Sequence, residues 1–260
     1  MALLEEHGSD GVRYWAASAR PGTDTAFDPA NTAQMKVGRR LAIKILNAAR
    51  FALLQAEPRG PITEPLDRGM LTALARLVDE STEQLEAYDY ARVLERTESF
   101  FWAFCDDYLE LVKARRYGDF GSEAAASANS AMLVALSALM RLFAPYLPFV
   151  TEEVWSWWRP GSVHRAAWPT AAEVVASIGG PDVSALVVRE ATQSALAEVR
   201  RLKSLLKKPT KAVIARALLP SAFAGLQPAA RDFQAATHMR ELTFAEVAEA
   251  ELEFAEEPAA

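Results

Sequence analysis

From about residue 31 to residue 160, apolar positions recur at i, i+3, i+4 and i+7, and glycine and proline are kept to the joints. That period predicts helices from about Thr32 to Gln55, Asp67 to Ala87, Tyr90 to Tyr117 and Glu123 to Ala144. Pro145 and Pro148 are expected to stop the fourth. A short fifth, "TEEVWSWW", should open with Thr151 as N-cap and acids in its first turn, where the helix dipole favours negative charge. Helices of these lengths with short links make a bundle.

The flanks read differently. "LLEEHGSDGVRYWAASA" is helical in pattern, and "RPGTDTAFDPAN" is turn-rich with at most one short strand. A helical pattern that already includes Met1 suggests a chain cut from something longer, or a missing preceding partner. After "RPGSVHRAAWP" the pattern gives a helix from about Ala185 to Lys207, a strand at "KAVIARALL", a helix near "AARDFQAATH", and strands at "ELTFAEV" and "ELEFAE". No internal repeat stands out. The expected fold class is mainly α: a segment over residues 1–30, a helical bundle over 31–160 and a small α+β module over 161–260.

The first long helix carries an unusual charge pattern. "MKVGRRLAIKILNAARFALL", residues 35–54, has five basic residues and no acidic one. At ~100° per residue, Leu41, Ile45, Ala49 and Leu53 form the side that should bury. Lys36, Arg40, Lys44, Asn47 and Phe51 fall within ~80° of one another on a different side, flanked by Arg39 and Arg50. Like charges at i, i+4 oppose helix formation, which suggests a compensating anion. Phosphates suit the cations, the amide suits a base edge, and a phenyl ring can stack on an unpaired base. The plainer alternative is a solvated basic face with Phe51 packed on a neighbouring helix.

Composition narrows the field. The chain has 260 residues, 51% hydrophobic and 24% charged, with net charge −6, as expected for a globular protein able to bury a core. Against that acidic balance the basic helix face stands out. The apolar stretch "SAMLVALSALMRLFAPYLPFV" is broken by Arg141 and two prolines, so no membrane span is expected. "MALLEEHGSD" lacks the features of a secretory signal, and the single Cys105 excludes an internal disulfide framework and a cysteine zinc site, pointing to the cytoplasm.

A second basic cluster, "RRLKSLLKKPTK" at residues 200–211, has six basic residues and no acid. Arg200, Lys203 and Lys207 share a helix face, with Lys208 and Lys211 beyond. Phosphate contact is one reading; a solvated helix end whose cations favour the C-terminal dipole is the other. The remaining chemistry is sparse. "FFWAFCDDYLELV" has aromatics at the spacing of a helix core. Asp106 and Asp107 are paired carboxylates without a nearby histidine, so catalysis is not expected. His7, His164 and His238 show no metal spacing. Trp155, Trp157 and Trp158 are expected to wedge the bundle against the C-terminal module.

Four separated blocks carry a resemblance. "LLEEHGSDGVRYWAASARPGTDTAFD", "KILNAARFALL", "YDYARVLERTESFFWAFCDDYLELVKARRYG" and "LMRLFAPYLPFVTEEVWSWW" agree in order and spacing with class I aminoacyl-tRNA synthetases for valine, isoleucine and leucine. The wording most resembles the C-terminal portion of the valyl-tRNA synthetase family, strongly over residues 1–170 and more weakly through "EVRRLKSLLKKPTKAVIARALLP". The resemblance implies a stem-contact segment, a helical-bundle anticodon-binding domain and a short C-terminal module. It also implies that Lys44, Asn47, Arg50 and Phe51, in the pattern K-x-x-N-x-x-R-F, lie against the anticodon loop, with Phe51 as a stacking platform. Lys36 and Arg40 join them as phosphate contacts on the helix wheel alone, and Arg200, Lys203, Lys207, Lys208 and Lys211 as further phosphate contacts. Neither class I signature, the His-Ile-Gly-His-like tetrapeptide or the Lys-Met-Ser-Lys-Ser-like loop, is in the sequence. The expectation is therefore a tRNA-reading fragment of a valine–tRNA ligase that is inactive alone. It needs no cofactor of its own, ATP acting only through the missing catalytic domain. Its partner would be tRNA for valine, with no DNA or membrane partner, and it would be monomeric. Alternatives are the equivalent part of an isoleucyl or leucyl enzyme, and a stand-alone helical adaptor that binds protein.

Overall fold

The computed structural model describes residues 2–20, 22, 32–54 and 56–255. The strand considered for "RPGTDTAFDPAN" falls almost wholly outside them. The chain divides into two compact units. One is built from residues 1–57, 74–102 and 129–179, the other from 58–73, 103–128 and 180–260. Helices in the middle of the sequence contribute residues to both.

In the first unit, α1 (Ala2–Ala17) is kinked at Gly8, whose φ of 73° lies in the region that favours glycine. α2 (Ala33–Leu54) comes next. The two helices approach closely at Gly38, where an added Cβ would stand 2.4 Å from Tyr14 Cβ. α3 (Pro65–Glu86) and α4 (Tyr90–Ala103) supply later portions of this unit. The helical run expected from Tyr90 to Tyr117 is not uniform. A π turn spans Phe104–Tyr108, and beyond it lie two short pieces, α5 (Leu109–Leu111) and α6 (Lys113–Arg116). The π turn admits an extra residue into the helical ladder.

α7 (Ser122–Phe143) is 22 residues long and apolar enough, by length and composition, to cross a membrane; 78% of its most apolar window is buried inside the protein. The apolar run begins earlier than the stretch singled out in the sequence, in the alanine-rich turns before Ala131. Phe143 meets Phe101 edge-on at 5.5 Å.

α8 (Pro148–Ser156) corrects the placement of the fifth helix. Pro148 occupies the first turn, where a missing N–H costs nothing, so it starts the helix instead of ending the previous one. Thr151 is not an N-cap. It is buried inside the helix, with its hydroxyl donating to Leu147 O at 2.8 Å. The first-turn N–H groups of Phe149 and Val150 are met by Asp10 of α1 at 3.1 and 2.8 Å. Burial raises the Asp10 pKa, and these two hydrogen bonds partly offset the rise. α9 (Ala171–Ala176), which the sequence reading did not anticipate, is capped by Thr170, whose side chain accepts from Glu173 N.

In the second unit, α10 (Val183–Leu205) is capped by Asp182, which accepts from Ala185 N at 3.0 Å. The Ser184 hydroxyl and the Arg68 guanidinium hold the Asp182 carboxyl down at about 2. β1 (Ile214–Pro220), a 3-10 segment, α11 (Ala230–Thr237), β2 (Met239–Ala245) and β3 (Glu251–Phe254) complete the unit. The sheet order is β2-β1-β3, with β1 parallel to β2 and antiparallel to β3. Ala217 and Leu219 of β1 join Val188, Leu196, Val199, Leu226 and Phe233 in the core.

A fully buried charge cluster lies in this unit. Arg115 grips Asp67 with two hydrogen bonds of 2.7 and 2.9 Å, and its Nε donates to both oxygens of Asp232 at 3.1 and 3.2 Å. Tyr108 and Ser127 donate to Asp67 at 2.7 and 2.6 Å. Burial alone would lower the Arg115 pKa, but Asp67 and then Asp232 reverse this and raise it. Burial pushes Asp232 up to about 6, against the pull of Arg115.

Candidate nucleic-acid interface

α2 presents two opposed faces, and the burial of each residue tracks its angle on the helix. Met35, Gly38, Leu41, Ile45, Ala48, Ala49 and Ala52 are buried. Lys36, Arg39, Arg40, Asn47 and Arg50 are exposed, and Lys44 and Phe51 are half-buried at one margin of the exposed arc. The structure therefore brings the six candidates Lys36, Arg40, Lys44, Asn47, Arg50 and Phe51 onto one side of one helix. The same arc also carries Ile43 and Leu54, 48% and 85% exposed, which the charge pattern had obscured. An outward face that alternates cations with apolar side chains can offer a nucleic acid both phosphate contacts and surfaces for bases. Arg39 is turned toward α1 and donates to the carbonyl of Glu6.

Two tryptophans stand beside the cations. The Lys44 ammonium and the Arg40 guanidinium lie 5.5 and 5.8 Å from the centre of the Trp102 ring. Arg50 lies 5.7 Å from the Trp157 ring, whose Nε1 donates to Glu153 at 2.9 Å. Such pairs attract a cation to the electron-rich ring face. The sequence reading took Trp102 as core, in a run where Phe101, Phe104 and Tyr108 are indeed buried. The available signal was Glu98, one helical turn earlier, whose carboxylate accepts from Trp102 Nε1 at 3.0 Å and from the Tyr14 hydroxyl at 2.5 Å.

The second basic cluster belongs to the other unit and divides by role. Lys207, Lys208 and Lys211 are exposed, with Lys208 5.5 Å from the Phe254 ring. Arg200 is exposed but pairs with Asp107 at 2.6 Å and donates to Asp106 O at 2.5 Å. Lys203 corrects the expectation of a phosphate contact. It is 4% exposed, and its ammonium donates to the carbonyls of Thr210, Ala212 and Thr237 at 2.8, 2.9 and 2.9 Å. All three of its protons are spent inside the unit. The shared i, i+3, i+7 face is real, but the long stem of Lys203 reaches backbone carbonyls before β1 and at the end of α11, which no helix wheel contains.

No group of histidine, cysteine or carboxylate residues able to hold a metal occurs among the described residues. Trp168 donates to Thr82 Oγ1 at 3.0 Å.

Residues 67–218 match the family described as the anticodon-binding domain of tRNA ligase. The valine–tRNA ligase of Salinispora tropica is 52% identical over 95% of this chain and 31% of its own length. That of Thermobifida fusca is 54% identical over 83% of this chain and 24% of its own, and that of Leifsonia xyli is 49% identical over 93% and 28%. The chain thus spans less than a third of the length of these relatives. With more than half of its residues inside the matched region, the chain belongs to the family of anticodon-binding domains of tRNA ligases.

Proposed function

We propose that this chain is the part of a valine–tRNA ligase that reads the anticodon of tRNA for valine, with the exposed arc of α2 as its reading surface. One observation carries the proposal. Lys36, Arg40, Lys44, Asn47, Arg50 and Phe51 share one side of one helix, with an amide and a phenyl ring set among the cations. Cations neutralise phosphates, the amide distinguishes base edges, and the ring stacks on an unpaired base. The support for valine over isoleucine or leucine is the high identity to valine enzymes. Charging of tRNA with valine would require the longer enzyme, in which this part supplies recognition at a distance from the acceptor end. The chain would act as a monomer without a cofactor of its own.

The test is fluorescence anisotropy of labelled tRNA for valine titrated with the chain at low and moderate salt, beside a transcript with a swapped anticodon. The expected result is binding that weakens with salt and with the swap. Binding indifferent to the swap would overturn the reading in favour of a merely basic surface. Apolar docking to a protein partner would show no such salt dependence.

A further inference from the structure

We infer that Trp102 is a positioning residue for the RNA-facing cations of α2: its ring holds Arg40 and Lys44 in place, and Glu98 holds the ring. The inference rests on the reading of α2 as an RNA surface.

Arg40 and Lys44 are one helical turn apart, so their like charges repel, and each has a long side chain with many rotamers. Left alone, both would sweep a wide volume of solvent. The Trp102 ring sits between 5 and 6 Å from both charges and is shared by them. It attracts each cation toward a common point and limits the directions in which either can aim.

A ring free to turn would position nothing. On one flank Trp102 borders a cavity of about 360 Å³, lined also by Tyr14, Leu94, Glu95, Glu98 and Ser99, so close packing does not fix it there. The polar edge does. Trp102 Nε1 donates to one oxygen of Glu98 at 3.0 Å, and the Tyr14 hydroxyl donates to the other at 2.5 Å. Tyr14 is in turn seated against Gly38 of α2, where no Cβ could fit. The chain of contacts starts and ends on α2: from Gly38 through Tyr14, Glu98 and Trp102 to Arg40 and Lys44. Cations already aimed lose less freedom when RNA arrives, so the arrangement favours affinity by preorganisation.

The test compares the full chain with Trp102→Leu and Trp102→Phe, each alone and combined with Arg40→Ala plus Lys44→Ala. Trp102→Leu should weaken binding of tRNA for valine about fivefold. Trp102→Phe, which keeps a ring face but loses the bond to Glu98, should weaken it about twofold. In the background lacking both cations, Trp102→Leu should have no further effect. An equal loss in both backgrounds, or none in either, would overturn the inference, because the ring would then act through the fold or on RNA directly, or not act at all. A second readout needs no RNA: the Arg40 Nε–H resonance should be shifted by the ring and ordered in the parent chain, and lose both properties in Trp102→Leu. Absence of that shift in the parent chain overturns the inference. Its presence in a chain that binds no tRNA overturns the RNA reading alone, and leaves the pairing of ring and cations standing.

Discussion

Asp10 and Val150 stand 140 residues apart in sequence, and the carboxylate of one accepts a 2.8 Å hydrogen bond from the backbone N–H of the other. Phe149 N makes a second bond to the same carboxylate at 3.1 Å. A helix normally takes its cap from the residue just before its first turn. Here Leu147 holds that place and makes no side-chain cap, so the cap comes from another helix of the same unit. The bond therefore serves two ends, closing the backbone of α8 and fixing α1 beside it.

Replacing Asp10 by alanine should cost about 1–2 kcal/mol in urea unfolding, the range for loss of a helix cap. Thr151→Val, which removes only a hydroxyl bonded within its own helix, should cost less than the loss of Asp10. A larger loss at Thr151 would return the capping role to that residue.

Asp67→Ala should destabilise by about 3–5 kcal/mol, because it leaves the Arg115 guanidinium buried without its bidentate partner. Chemical denaturation of the variant checks the figure. A loss under about 1 kcal/mol would mean that water reaches Arg115 once Asp67 is gone.

The pH dependence of stability should carry the signature of Asp232. Its pKa is about 6 in the folded chain, against ~3.9 for an unperturbed carboxyl. The folded state therefore holds this proton more tightly than the unfolded state. The contribution to stability is fully present below about pH 4 and is lost as pH rises through about 6. Asp232→Asn should remove that slope, so the two unfolding curves should converge toward pH 4 and separate, by on the order of 2 kcal/mol, above pH 6. Parallel curves would show that the group titrates normally.

Lys203→Ala should lower stability by about 2–3 kcal/mol, since three backbone carbonyls, that of Thr237 buried, lose a charged donor. The same variant should leave the salt dependence of tRNA binding unchanged. Lys36→Ala on the exposed arc of α2 should do the opposite, with little effect on stability and a salt slope reduced by about 0.7.

Phe51 is half-buried, so truncation to alanine mixes two effects. Phe51→Leu separates them: it keeps most of the apolar burial and loses the flat ring. Stability should change by less than about 1.5 kcal/mol, while affinity for the anticodon loop falls by ~1–3 kcal/mol. Unchanged affinity would place the ring in the core alone.

The boundaries of α2, α3 and α7 and the sidedness of α2 were legible because both derive from local periodicity. Leu41, Ile45 and Ala49 bury where the wheel puts them, and Lys36, Arg40 and Asn47 face outward. The resemblance to valyl-tRNA synthetases was likewise legible in four ordered blocks and is borne out by the relatives. The features that escaped depend on partners distant in sequence. No local rule announces that Asp10 will cap a helix starting at Pro148, that Lys203 will bind Thr237, or that Trp102 will lie beside cations from another helix. Pro148 misled for a related reason. A proline after an apolar helix marks a stop or a start equally well, and only the backbone decides.

The Arg115 cluster bears on how the chain is made as well as on how it stands. Asp67, Ser127 and Arg115 emerge from the ribosome well before Asp232, 117 residues after Arg115. A nascent chain can form the bidentate pair early, yet its guanidinium Nε waits for a carboxylate translated much later. The second unit therefore completes the hydrogen bonding of Arg115 only once α11 has been made, so a chain cut short before α11 buries a guanidinium whose Nε–H has no carboxylate to meet.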